Sequence, residues 1–165
     1  MKLKLVKLLD YKGSKTTIYS LYDEEEGITL HEKFILENTD NCIDELQDIH
    51  VRLLNISQKF GAREQFFKLH EGSAGDMLCA LYDMPDKKLR LYCIRLSNVV
   101  LILGGGGEKN VRSLQEDDKL KSENYLLRFI SKELYNRIKD RDIKWSADGM
   151  ELLGDLNFDY DETDE

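Results

Sequence analysis

Arg90, Tyr92 and Arg95 alternate through the run LRLYCIRL at 89–96, and four glycines followed by Glu108-Lys109 close the apolar run VVLIL just beyond it. Strand alternation puts Arg90, Tyr92 and Ile94 on one face and Leu89, Leu91, Cys93 and Arg95 on the other. An arginine beside a tyrosine on a sheet face can pair a phosphate and stack a base. Taken alone, the same motif reads first as a salt bridge with a tyrosine in the core.

Gly104–Gly107 invites a phosphate-loop reading and fails it on detail. Lys109 follows Glu108 and precedes Asn110, so the Gly-Lys-Ser/Thr core is absent, and so is a GxGxxG fingerprint. Glycines at a strand end serve positive φ or the close packing of a neighbouring segment, and that is the reading adopted. His31, His50 and His70 are too dispersed to propose a metal set, so neither a metal nor another cofactor is expected. Cys42, Cys79 and Cys93 form neither a CxxC pair nor a disulfide framework. No nucleophile elbow supports covalent catalysis.

The elements that must carry these residues follow from periodicity. Leu3 and Leu5 alternate with lysines, and Thr17, Tyr19 and Leu21 alternate with Ile18, Ser20 and Tyr22, which predicts a hairpin across Lys12-Gly13-Ser14. Thr29 and Glu32 fit a capping box for a short helix to about Glu37. Leu46, Ile49, Leu53, Ile56 and Phe60 predict a second helix over 42–60, stopped by Gly61. Strands are expected at 77–83, 89–96 and 99–103, joined by short loops into an antiparallel meander, the last two across a Ser97-Asn98 turn. The near-continuous apolar character of 99–103 marks a central strand. A final helix runs from about Ser122 to about Asp140.

Composition bounds what such a chain can be. Its 165 residues, 41% hydrophobic, suit one domain with a real core, taken as 1–147 with 148–165 as an acidic tail or edge strand. MKLKLVKLL is too short and lysine-broken for a signal segment, and no run approaches a membrane span, so a cytoplasmic protein is expected. The net charge of −8 is uneven: residues 87–144 hold 14 basic against 8 acidic side chains, and 145–165 hold 8 acidic and no basic ones. A basic section is the footprint of a polyanion partner, although mixed charges also solvate ordinary faces. The acidic tail is expected either to solvate the end of the chain or to fold back over the basic section as a screen.

From about Thr16 to Lys121 the chain resembles the RelE/ParE toxin superfamily, in particular its HigB-like, phage-derived branch. The resemblance is carried by TTIYSLYDEEEGITLHEKFILEN, by RLLNISQKFG, by the K-L-x-x-G stretch Lys68–Gly72, and by three successive strands ending in glycines and a lysine. It implies an α+β fold: a RelE-like antiparallel sheet with two packed N-terminal helices, extended here by a C-terminal helix and an acidic segment. It also implies the toxin half of a toxin–antitoxin pair, a metal-independent endoribonuclease acting on translated mRNA at the ribosome. An antitoxin partner, a helix-turn-helix protein, would mask it. A non-catalytic binding module and a gyrase-directed ParE-like toxin are the other functions such a chain can serve.

Carried over residue by residue, the resemblance gives Arg90 and Lys109 catalytic positions, with Arg63, Lys68, Tyr92, Arg95 and Arg112 as RNA contacts. The expected chemistry is attack of a 2′-OH on the adjacent phosphate, with Arg or Lys stabilising the developing charge. Tyr82, Gly104, Gly106 and Glu108 stand where the family has arginine, histidine, phenylalanine and lysine.

Overall fold

The computed structural model describes residues 1–72, 77–81, 84, 86–109 and 114–162. Tyr82 and Arg112 lie outside the described residues.

The first hairpin forms as its alternation requires. Strand β1 (Lys2–Lys7) pairs antiparallel with β2 (Thr17–Asp23), with Leu3, Leu5 and Leu21 turned into the core. A two-residue strand β3 (Ile28–Thr29) then leads directly into α1 (Leu30–Asn55), whose first turn is capped by the Thr29 hydroxyl accepting from the Glu32 amide at 3.1 Å. A wide turn of π type at Ile56–Phe60 ends the helical stretch, and Gly61 at φ +79° supplies the expected stop.

Strands β4 (Phe67–Lys68), β5 (Leu78–Leu81), β6 (Leu89–Leu96) and β7 (Val100–Glu108) form the meander, each antiparallel to the next. Leu96 pairs with Val100, so the loop between β6 and β7 is three residues long, one more than Ser97-Asn98, with Ser97 at φ 55°. Helix α2 (Leu114–Lys139) begins two turns before the expected start at Ser122 and is followed by β8 (Ile143–Trp145), β9 (Leu152–Gly154) and β10 (Asn157–Asp159).

Two features overturn the expected RelE-like antiparallel sheet with two packed N-terminal helices. The main sheet is mixed and eight-stranded, in the order β10-β1-β2-β7-β6-β5-β4 with β3 beside β2, and β2 runs parallel to β7. In place of two helices there is one long α1 between β3 and β4, kinked where Cys42 takes φ −138° and ψ 36°. The physical reason for the second is local: residues 38–42, NTDNC, contain neither glycine nor proline, so the helix resumes directly after Cys42 leaves helical φ/ψ and two helical segments join across a kink. The first is a matter of long-range pairing, because β2 finds its partner only after α1 and three more strands have been laid down.

The result is an α+β layer arrangement in which the sheet is covered on both faces. Phe34, Cys42, Leu46 and Leu53 of α1 meet Leu89, Leu91, Cys93, Leu101 and Leu103 on one side. Leu120, Leu126, Leu127, Ile130 and Leu134 of α2 meet Tyr92, Ile94, Val100 and Ile102 on the other. This two-sided burial is why 99–103 reads as an unbroken apolar run, and β7 is the central strand it predicts.

The C-terminal stretch is held as an edge strand. Strand β10 pairs antiparallel with β1, Met1 and Tyr160 exchange backbone hydrogen bonds at 2.9 Å, and Phe158 and Tyr160 enter the core. It therefore does not screen Arg90, because β1, β2 and β7 lie between β10 and β6. No helix among the described residues is long and apolar enough to cross a membrane.

Candidate functional site

The glycine strand is where the chain makes an unusual demand on its backbone. Leu91 pairs with Gly106 and Cys93 with Leu103, so Gly104 and Gly105 together face the single residue Tyr92. That bulge keeps Leu103 and Gly106 on the α1 side of the sheet although they are three positions apart. Gly104 and Gly107 turn toward α2: a side chain at Gly104 would strike Leu127 at 2.2 Å, and one at Gly107 would touch Leu120 and Lys119 at ordinary distance. None of the four glycines has positive φ, and close packing is the role of Gly104, Gly105 and Gly106, where an added side chain would come within 2.2 Å of a neighbour.

Beyond Leu103, β2 no longer runs beside β7. Side chains of both helices converge there. The Lys119 ammonium lies 3.0 Å from Glu37 of α1 and 3.3 Å from Glu123 of α2. The second Glu123 oxygen is buried without a hydrogen-bond partner, beside the position a Gly105 side chain would occupy. Burial pushes the Glu123 carboxyl up, and the Lys119 charge offsets this only in part. For Lys119 the balance is opposite: burial pulls the ammonium down, but Glu123 and Glu37 together hold it above its ordinary value.

Arg90 and Lys109 come to this same end of the sheet. Arg90 pairs with Gly107 across the ladder, and the Lys109 amide donates to the Lys88 carbonyl at 2.8 Å. The Lys109 ammonium donates to the Met84 carbonyl. Lys88 is exposed and Lys87 lies 3.8 Å from Asp48. The Glu45 carboxylate accepts from the Lys88 and Leu89 amides at 3.0 and 3.2 Å and pins the start of β6 to α1.

The other predicted contacts are elsewhere. Arg95, about 16 Å along β6 from Arg90 by strand rise, donates to the Ala62 carbonyl at 2.6 Å and to Asn98 Oδ1 at 2.7 Å. Arg63 sits near it, donating to the Phe60 carbonyl at 3.0 Å. Lys68, on the short strand at the edge of the sheet, lies 3.3 Å from Glu71. Tyr92 is only 4% exposed and belongs to the core under α2, so its ring cannot stack on a base there.

Sequence reasoning missed two groupings. Lys119 and Glu123 carry an i,i+4 signal, but nothing local says that Glu37 meets them. His31 and His50, read as dispersed, both approach the Tyr11 hydroxyl, His31 Nε2 at 3.3 Å and His50 Nδ1 at 3.1 Å. Among the described residues, no three His, Cys, Asp or Glu side chains converge as a metal set. No protein-family model, curated protein or solved structure compared with this chain matches it.

Proposed function

We propose that the chain is the toxin half of a toxin–antitoxin pair of the RelE/ParE kind, a metal-independent endoribonuclease acting on translated mRNA in the cytoplasm. The reading rests on the motif resemblance of residues 16–121, and one observation supports it most: Arg90 and Lys109 stand at the same end of two adjacent central strands. In that role the two cations stabilise charge on the phosphate as the 2′-OH attacks. Glu123, its carboxyl held up by burial, is the group at this end suited to take the hydroxyl proton. The protein partner is then an antitoxin of helix-turn-helix type.

The test is induced expression with mRNA integrity and growth as readouts. Arrest with cleaved message is expected, relieved by Arg90→Ala, Lys109→Ala or Glu123→Gln in variants that still melt cooperatively. Loss of one transition-state contact costs about 2 to 4 kcal/mol, a fall in turnover of roughly a hundredfold or more. Intact message and normal growth at high expression refute the nuclease.

A second reading, a binding module without catalysis, is favoured by Tyr92 and Arg95. The first is buried under α2 and the second is committed to Ala62 and Asn98, which removes the base-stacking tyrosine and one phosphate contact from the site. Message left intact while a protein partner is bound would select it.

A further inference from the structure

The outer face of α2 carries one repeating pattern. Lys121, Tyr125, Arg128, Lys132, Tyr135 and Lys139 follow one another at alternating four- and three-residue steps, which lines them up along one side of the helix over about 27 Å. Leu127, Ile130 and Leu134 point the opposite way, into the core, so the stripe faces solvent. Lys121, Lys132, Tyr135 and Lys139 are exposed, Tyr135 at 62%.

The stripe carries one sign of charge. Glu123 is turned to Lys119 and the Gly105 backbone, and Glu133 lies 3.4 Å from Arg137. Asp118 precedes the stripe and Asp140 follows it. Lys121, Lys132 and Lys139 make no ion pair among the described residues. Tyr125 gathers two of the cations, with the Lys121 ammonium 5.6 Å and the Arg128 guanidinium 5.5 Å from its ring centroid. The Tyr135 ring makes no aromatic or cation contact among the described residues. In a chain of net charge −8, lysines aligned without counter-charges are the footprint of a polyanion.

We propose that this face of α2 binds a single-stranded nucleic acid, its phosphates on the lysines of the stripe and Arg128 and a base stacked on Tyr135. Aligned cations track a sugar–phosphate backbone, and an exposed ring takes any unpaired base. A duplex hides its bases from such a ring. An anionic membrane asks for exposed aliphatic side chains that enter it, and the stripe has none. The inference rests on the charge and spacing of α2 and not on the nuclease reading: Lys132, Tyr135 and Lys139 lie beyond the residues that resemble RelE/ParE proteins.

The test is fluorescence anisotropy with the full chain and labelled oligouridylate and oligothymidylate of about 15 nucleotides, the upper range of single-strand site sizes. A DNA duplex of equal length and phosphatidylserine vesicles are the competitors. A single strand is expected to bind at least roughly tenfold tighter than the duplex and to weaken as salt rises, and the preferred strand identifies the sugar. Lys132→Gln combined with Lys139→Gln should lower affinity about tenfold and reduce the salt slope by about 1.4, the share of two phosphate contacts. Tyr135→Ala should lower affinity about fivefold or more and leave the slope unchanged. Lys12→Gln combined with Lys15→Gln, exposed lysines of the β1–β2 connection, should change binding about twofold at most. All the substituted positions are exposed, and thermal melts confirm that the variants fold. No binding of either strand, duplex or vesicles bound as tightly, or equal losses in the two lysine pairs overturns the proposal. Message cleavage is followed separately, so that strand binding by a chain that leaves message intact refutes the nuclease and leaves this surface standing.

Discussion

Arg137 lays its guanidinium over the ring of Phe158, 4.3 Å from the centroid, and reaches past it to donate to the Asp155 and Asn157 carbonyls at 3.0 and 2.5 Å. Helix α2 thereby holds the chain that returns to pair with β1. The acidic C-terminal stretch is thus a structural edge, and its charges sit outside a strand whose apolar members are buried.

Phe158→Ala should therefore destabilise the protein by about 3 kcal/mol, the cost of deleting a buried aromatic side chain. Arg137→Ala should cost less, about 1 kcal/mol from the ring contact plus the loss of its backbone partners. Removing residues 155–165 should destabilise more than either. Urea melts read all three, and a truncated chain as stable as the intact one would show that β10 adds nothing to the fold.

A graded glycine series tests the packing at β7. A side chain at Gly106 would come within 1.8 Å of the Arg90 carbonyl, an atom of the backbone that cannot move aside cheaply. Gly106→Ala should cost about 3 kcal/mol, and Gly104→Ala, against the fully buried Leu127, somewhat less. Gly107→Ala meets only ordinary contacts and should be neutral or slightly stabilising, because alanine orders a strand at lower entropic cost. Equal melting temperatures across the series would remove close approach as the reason for the glycines.

Local signals were legible and non-local ones were not. The Thr29 cap, the β1–β2 hairpin, the Gly61 stop and the two-sided burial of β7 all follow from residues within a few positions of one another. The parallel pairing of Thr17–Ser20 with Val100–Leu103 has no local signature, and at Cys42 the polar stretch reads as a break between two helices where the chain instead kinks and continues. At the candidate site the same division holds. Arg90 and Lys109 were proposed on the motif resemblance and flank one hairpin, whereas Glu37 joins Lys119 only where β2 ends beside β7. His31 and His50 escaped for the same reason, since the tyrosine that joins them lies in another element.

The buried imidazole of His31 makes stability depend on pH, and the sign follows from its environment. Burial, and then the nearby His50, pull its pKa from 6.5 down to about 4. Between those values the unfolded chain takes up a proton at this position that the folded chain refuses, so acid favours unfolding. The contribution of neutral His31 is complete above pH 6.5 and is lost progressively as pH falls toward 4. By about pH 5 the loss should reach about 2 kcal/mol, before most carboxylates titrate. His31→Gln should flatten this part of the profile, whatever it does to stability at neutral pH. Chemical denaturation of both proteins between about pH 8 and pH 5, alongside an NMR titration of the His31 ring, reads the effect. Parallel stability profiles for the two proteins would show that His31 is not the group responsible.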